Sequence, residues 1–218
     1  SLGLPSGSTS GFTIESYFSQ FNYNFDQKYF FSASIRTDGS SRFVNEKWGT
    51  FGSVGASWVV SNEDFLQDSI FSFLKVKTSY GVTGDQSGVG FFSGYNTYNA
   101  GNLGGSISLA PGANGNPDLT WETSRQLQVG AEMSFGKYLD VNLDYYSKLT
   151  DNLIFNRFVG PSQGISSITV NDGELINAGL EFDITGHLVN NKDFTLDLSV
   201  NGEMVNNEIT VMPLDPAT

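Results

Sequence analysis

The sequence predicts an all-β fold, namely a wall of antiparallel strands that belongs to a transmembrane β-barrel. Three observations support this prediction. Apolar and polar residues alternate with a period of two over long runs, the connections between runs alternate between short and long, and the polar face carries charged side chains along its length. A strand that faces lipid on one side and water on the other has this pattern.

We expect about eight strands, each of roughly 9–12 residues, which suits a tilted strand that crosses a bilayer. The alternating runs are Tyr17–Phe25, Tyr29–Asp38, Thr50–Val60, Leu74–Val82, Leu127–Phe135, Leu139–Tyr145, Ala178–Thr185 and Leu196–Met204. In the run from Tyr29, for example, Phe31, Ala33 and Ile35 share one face. Strands of soluble sandwiches are usually shorter, about 5–6 residues. The length of the runs therefore favours a membrane barrel.

The connections between the runs predict the topology. Tight turns at Asp26–Lys28, Gly136–Tyr138 and Asn190–Asp193 separate long connections at Gly39–Lys47, Gly84–Asp118 and Asp151–Gly173. Outer-membrane barrels have short periplasmic turns and long extracellular loops, so the long connections are expected at the cell surface. The intermediate connection Ser61–Ser72 is then periplasmic, and Glu63 and Asp64 near its start predict one short helical turn.

Composition excludes several classes of protein. The formal net charge of -12 argues against a nucleic-acid partner, because phosphate binding needs Lys and Arg. Cysteine is absent, which excludes a disulfide framework and cysteine-based metal sites. Aromatic residues make up 14% of the chain, and several lie near the predicted strand ends, where interfacial girdles form. These are Tyr17, Tyr29, Trp58, Tyr80, Trp121, Phe135 and Tyr138.

The polar parity predicts a wall that faces a water-filled lumen. Its expected members are Arg36, Asp38, Lys75, Lys77, Gln128, Glu132, Asp140 and Asp144. We interpret charges such as Lys75, Lys77, Asp140 and Asp144 as unpaired side chains that must be hydrated. They either sort substrates by charge or form a hydrated wall.

Arg125 breaks the pattern, because it lies on the outward parity with Trp121 and Leu127. The apolar run Leu127–Phe135 already suffices to span the hydrocarbon, so Arg125 is expected just above it on the extracellular side. We hypothesise that Arg125 binds a phosphate of lipopolysaccharide, since a guanidinium pairs two phosphate oxygens at once. The alternative is an ion pair with a carboxylate on a neighbouring strand.

Six segments carry motifs that are specific when they occur together and in this order. They are SIRTDGSSRF at 34–43, WGTFGSVGASW at 48–58, LKVKTSYGVTGDQ at 74–86, NPDLTWE at 116–122, DYYSKLTDNL at 144–153 and NAGLE at 177–181. Each segment alone is a weak signal, but together they resemble the SusC/RagA-type TonB-dependent transporters. Departures from the family pattern are small, such as Asp85 in place of the usual Asn.

The resemblance implies a barrel of about 22 strands with a plugged lumen. It also implies a plug domain, a TonB box and a SusD-like surface lipoprotein as partner, and residues 1–218 contain none of these. The chain ends at Pro216-Ala217-Thr218 rather than at an aromatic residue that closes a last strand. We therefore expect an internal barrel segment of a larger outer-membrane protein.

The function implied is TonB-dependent import of an oligosaccharide or oligopeptide. Candidate contacts to substrate or lipoprotein are Phe91, Phe92, Tyr95 and Tyr98, which lie in a connection rich in Gly and Asn. Alternatively, these aromatic side chains pack the loop onto itself. Loops such as Asn171-Asp172-Gly173-Glu174 lack the ligand spacing of an EF-hand, so Asp-Gly turn chemistry explains them better than calcium binding.

Two other functions stay open. A transporter-like barrel can serve as a structural subunit of an envelope or secretion assembly. An outer-membrane barrel hydrolase would need a serine that faces His187, the single histidine of the chain. The sequence otherwise predicts no catalytic residue, no cofactor and no metal site.

Overall fold

A computed structural model describes residues 9–160 and 167–212, and most of them belong to one antiparallel sheet. The eight strands of this sheet are β1 (Ile14–Phe25), β2 (Tyr29–Ser40), β3 (Trp48–Val59), β4 (Phe73–Asp85), β7 (Glu122–Phe135), β8 (Leu139–Asp151), β11 (Glu174–Asn190) and β12 (Thr195–Val211). Each pairs with the next in this order. The prediction of about eight long antiparallel strands is confirmed. The first residues from Ser1 and the end Pro216-Ala217-Thr218 lie outside the described residues.

The register keeps apolar and polar side chains on separate faces of the sheet. At one height, Thr78, Val129, Tyr145, Leu180 and Met204 lie side by side across five strands. One residue further along, Lys77, Gly130, Asp144, Glu181 and Glu203 lie side by side on the other face. We call these the apolar face and the polar face. Since a one-residue slip would exchange the two faces, the alternation excludes such a slip from this register.

The first two tight turns form where they were predicted, and the third spans residues 191–194, one residue beyond the prediction at each limit. Asp26 and Gln27, the central residues of a turn closed by the Lys28 N–H to the Phe25 carbonyl oxygen at 3.1 Å, both have φ of 52°, and Gly136 has φ of 58°. The intermediate connection contains two 3-10 turns, Val60–Asn62 and Asp64–Leu66, where one helical turn was predicted. β3 therefore ends at Val59, one residue before the predicted end, and Val60 is buried in the first 3-10 turn. Within the described ranges, no helix is long and apolar enough to span a membrane.

Two short hairpins occupy the long connections and were not predicted. The first pairs β5 (Tyr98–Leu103) with β6 (Ser106–Pro111), and the second pairs β9 (Ile154–Phe158) with β10 (Ser167–Asn171). Their strands have only 5 or 6 residues, so the alternation that identified the long strands is too brief to detect.

A small hydrophobic core joins the long connections at one end of the sheet. It consists of Phe43, Val89, Leu119 and Trp121, with Phe51 and Ile154 packed against it. Trp121 was predicted in an interfacial girdle, and that prediction is wrong, because its side chain is only 7% exposed and its ring lies 5.1 Å from that of Phe43. β7 begins one residue later, so the strand parity does not govern the direction of Trp121.

The topology predicts which ends react with reagents outside the cell. Asn99 lies in the hairpin β5–β6, and Lys137 lies in the tight turn between β7 and β8. Because long connections of outer-membrane barrels are extracellular, we expect a membrane-impermeant thiol reagent to label Asn99→Cys in intact cells and Lys137→Cys only after lysis. Residues 1–218 contain no cysteine, and the unsubstituted full-length protein is the control for labelling elsewhere. Labelling of Lys137→Cys in intact cells would show that the topology is inverted.

Candidate functional site

Ion pairs cross the strands of the polar face at mid-height. Lys77 Nζ lies 3.3 Å from Glu132 Oε1 and 3.1 Å from Asp144 Oδ2, and Lys75 Nζ lies 3.4 Å from Glu132 Oε2. Gln128 Nε2 donates to Asp144 Oδ1 at 3.2 Å. The interpretation of Lys75, Lys77 and Asp144 as unpaired charges is therefore wrong. It is also wrong for Asp140, whose Oδ2 lies 3.0 Å from His187 Nε2. Cross-strand pairing satisfies them, and it could not be seen before the register was known.

Gly130 makes the pair between Lys77 and Asp144 possible. The two residues lie on β4 and β8, with β7 between them, and Gly130 is the residue of β7 at that height. A Cβ atom at Gly130 would lie 2.1 Å from Asp144 Oδ1 and 2.7 Å from Lys77 Cε. The pair therefore occupies the space that any larger residue would fill.

The polar face becomes more acidic toward β11 and β12. Asp144 lies opposite Glu181, and Glu181 lies opposite Glu203. Carboxylates placed directly opposite each other are unfavourable unless they are hydrated or bonded to a donor. The Tyr146 hydroxyl donates to Glu203, which relieves one of them. The negative charges of these carboxylates give this part of the face a negative potential.

His187 bridges two carboxylates of the polar face. Its Nδ1 lies 2.8 Å from Asp197 Oδ1 and its Nε2 lies 3.0 Å from Asp140 Oδ2. An imidazole that donates from both nitrogens is protonated, so this arrangement stabilises a cation. A hydrolytic dyad needs a serine hydroxyl at one of these nitrogens, and carboxylates occupy both positions.

Arg36 and Asp38 form a separate ion pair near the end of β2, next to the Gly39–Lys47 connection. The guanidinium Nε lies 2.7 Å from a carboxylate oxygen of Asp38, and Nη2 donates to Ser16 at 3.1 Å. The Asp38 side chain is buried, so this charge is held in place rather than hydrated.

Arg125 lies on the parity of the apolar face, between Val82 and Leu149. Its guanidinium forms an ion pair with Asp151 on the neighbouring strand β8. This is the alternative that the sequence left open beside a lipopolysaccharide phosphate. Binding of a phosphate by Arg125 stays a prediction.

The four aromatic residues of the Gly84–Asp118 connection have different environments. Phe91 packs on Phe12 with ring centroids 5.9 Å apart, and Arg42 lies 4.0 Å from the Phe12 centroid and 5.1 Å from that of Phe91. Arg42 also donates to the carbonyl oxygens of Gln86 at 3.2 Å and Val89 at 2.9 Å. Phe91 thus packs against other residues of the chain, beside Phe12 and Arg42. Phe92, Tyr95 and Tyr98 are exposed.

Sequence reasoning did not identify Arg42 as the centre of this cluster. Arg42 belongs to the SIRTDGSSRF segment at 34–43. Nothing in the local sequence pattern showed that two aromatic rings and two carbonyl groups from other segments would surround its guanidinium.

At the other end of the sheet, Glu63 ties the Ser61–Ser72 connection to the turn between β1 and β2. Three donors converge on its carboxylate: the Tyr29 hydroxyl at 2.7 Å, the Lys28 ammonium at 3.1 Å and the Trp58 indole N–H at 3.1 Å. These hydrogen bonds, with that from Tyr29 the strongest, hold the pKa of Glu63 below its ordinary value.

This cluster predicts a local pH dependence. A carboxyl group with a lowered pKa stabilises the folded state above its ordinary pKa of about 4.3, and that stabilisation is lost as the pH falls through the lower folded-state value. We therefore expect the indole N–H resonance of Trp58 to shift as the pH falls below about 4. Glu63→Gln keeps an acceptor but cannot titrate, so its resonance should stay in place. An equal shift in both proteins would show that Glu63 is not the cause.

Comparison with known proteins places this wall in a family. A family model described as "TonB dependent receptor-like, beta-barrel" matches residues 2–207. TonB-dependent receptor P39 of Formosa agariphila is 36% identical over 200 residues, which cover 90% of this chain and 19% of that protein. TonB-dependent receptor SusC of Bacteroides thetaiotaomicron is 34% identical over 211 residues, which cover 91% of this chain and 21% of that protein.

Solved structures agree with these relatives. A chain of the RagAB peptide transporter superposes with a TM-score of 0.85 and 30% identity, over 94% of this chain and 23% of that one. The siderophore receptor PirA of Pseudomonas aeruginosa shares the fold alone, with a TM-score of 0.60 and 17% identity. The chain therefore spans about a fifth of the length of the curated relatives it matches. It belongs to the TonB-dependent receptor β-barrel family of the outer membrane and resembles its SusC and RagA members.

Proposed function

We propose that the protein to which this chain belongs imports an oligosaccharide or oligopeptide across the outer membrane, with energy supplied through TonB. The observation that carries the proposal is the polar face, on which charges and amides run across successive strands opposite a face of exposed apolar side chains. Such a wall separates lipid from a hydrated path. The likeness to SusC and to the RagAB peptide transporter over at least 91% of this chain supports import as the use of that path.

The wall itself performs no chemistry in this proposal, and the protein is not an enzyme. Arg36, Asp38, Lys75, Lys77, Gln128, Glu132, Asp140 and Asp144 line the hydrated path. Most of these side chains are paired with one another, so their charges largely cancel. The electrostatic field beside this wall therefore comes mainly from the excess carboxylates on β11 and β12. The lumen is then electronegative, which favours neutral or cationic solutes over anions.

A SusD-like surface lipoprotein is the proposed partner, and the hairpin β5–β6 is its proposed contact. Tyr98, Ile107 and Leu109 lie on one face of this hairpin, and Ile107 is 88% exposed. The segment from Gln86 to Pro117 contains no charged residue. An exposed, uncharged and partly apolar hairpin suits a protein partner better than the anionic surface of the outer membrane.

Uptake by cells tests the proposal. Labelled oligosaccharides and oligopeptides are offered to cells that carry the full protein, to cells without it and to cells without TonB. We expect accumulation of one substrate class only when both the protein and TonB are present. Replacing residues 98–111 by a short Gly-Ser linker should reduce co-purification of the lipoprotein while leaving the barrel assembled.

Two results would contradict import. Accumulation that is independent of TonB would mean that the barrel is not energised. Normal growth and uptake without the protein, together with co-purification of envelope proteins other than a lipoprotein, would instead indicate a structural subunit of a larger assembly.

A further inference from the structure

A cleft opens between the two long connections Gly84–Asp118 and Asp151–Gly173. Its lining residues are Phe92, Ser93, Thr97, Ala113, Asn114, Asn156, Ser167 and Thr169. They come from the Gly84–Asp118 connection on one side and from the hairpin β9–β10 on the other. None of these described lining residues is charged. The cleft therefore offers an aromatic ring, hydroxyl groups and amides, but no ion.

Hydrogen bonds fix the two sides of the cleft to each other. Asn116 Nδ2 donates to the carbonyl oxygen of Thr169 at 3.0 Å. The Asn171 side chain accepts from the backbone N–H of Thr120 and donates to its carbonyl oxygen, both at 2.8 Å. Within the first connection, Thr97 Oγ1 accepts from the N–H of Ala113 at 2.8 Å. Because these bonds join the two connections, the walls of the cleft are held in position before any ligand arrives.

The groups that point into the cleft keep hydrogen-bonding capacity. Thr169 Oγ1 donates to Asn156 Oδ1 at 2.9 Å, which leaves the two N–H groups of the Asn156 amide as donors. Phe92 is 62% exposed and presents a ring face beside them. Phe158 lies on the same face of the hairpin as Asn156, because the register pairs Phe158 with Ser167 and Asn156 with Thr169. A second exposed ring thus extends the cleft.

We propose that this cleft binds a neutral oligosaccharide as it enters the transporter, which deepens the proposed function and rests on it. The apolar face of a sugar ring packs on an aromatic ring, and its hydroxyl groups pair with Asn, Ser and Thr. An acidic sugar would need a cation for its carboxylate or sulfate, and the lining provides none. The net charge of -12 further disfavours anions. The charged termini of a short peptide would also lack partners here.

Binding to the full-length protein in lipid nanodiscs tests this inference. The probes are neutral oligosaccharides of several linkages, an oligogalacturonate of matched length and a neutral-sequence oligopeptide, each titrated by calorimetry. We expect at least one neutral oligosaccharide to bind and the other two classes not to bind. Phe92→Ala and Asn156→Ala should each weaken that binding by about tenfold, as expected for loss of one stacking or hydrogen-bonding contact. Phe65→Ala is the control, because it removes an exposed ring in the Ser61–Ser72 connection, outside the cleft.

The outcomes separate this inference from the proposed function. If no neutral oligosaccharide binds, or if Phe92→Ala and Phe65→Ala bind it equally well, the cleft proposal is overturned even where cells import a substrate. Binding of the oligogalacturonate or the peptide with the same dependence on Phe92 would also overturn the assigned ligand class. Binding as expected, without TonB-dependent uptake, would leave the cleft in place and contradict import.

Discussion

Phe43→Ala is expected to loosen the long connections of the protein by about 3–5 kcal/mol. Phe43 is 1% exposed and packs with Val89, Leu119 and Trp121 in the core that joins these connections. Truncation of a fully buried aromatic residue removes its packing and leaves a cavity. Since the long strands are hydrogen-bonded independently of this core, we expect a local effect on the connections, with the sheet intact.

Hydrogen exchange of the backbone amides measures this effect. The N–H groups of Val89 and Asn116, which donate within the connections, should lose protection in Phe43→Ala, while those of β7 and β8 keep it. Phe92→Ala is the control, because that ring is exposed and its loss leaves no cavity. Unchanged protection of Val89 in Phe43→Ala would mean that the core does not hold the connections.

Val129→Arg is expected to destabilise the assembled barrel by about 2–4 kcal/mol, the cost of an arginine that faces lipid at mid-membrane. Val129 is 48% exposed on the apolar face, between Thr78 and Tyr145. Gln128→Arg, one residue away, should be nearly neutral. Gln128 lies on the polar face and already bonds Asp144, so an arginine there has water and a carboxylate as partners.

Folding of the full-length protein into lipid vesicles at increasing denaturant compares the two variants. Resistance of the assembled barrel to unfolding in detergent on a gel gives a second readout. A similar loss of stability in both variants would show that the two faces have been assigned to the wrong solvents.

The long strands could be predicted because each one carries its own signal. A run such as Leu127–Phe135 alternates over enough residues to fix both its type and its faces, and the neighbouring tight turn fixes its partner. The loop core could not be predicted in this way. Phe43, Val89 and Leu119 come from three separate segments without periodicity, so only the folded chain brings them together.

The candidate site shows the same division. The sequence placed Lys77, Glu132 and Asp144 on one face, and the register agrees. It could not show that Lys77 bonds both carboxylates, because a pair across two strand boundaries depends on the height of each strand. Nor could it distinguish Phe91, which supports Arg42, from Phe92, which lines the cleft, since the two are adjacent in the same local sequence.

The bridge over Gly130 has a consequence for how this protein can diverge. A side chain at position 130 would displace either the ammonium of Lys77 or the carboxylate of Asp144, although neither residue is close to it in the chain. Substitution of Gly130 is therefore tolerated only after Lys77 or Asp144 has been replaced by an uncharged residue. The remaining member of the pair then has no partner and can be replaced as well. Among homologues we expect the residues at positions 77, 130 and 144 to change together, although they lie on three different strands.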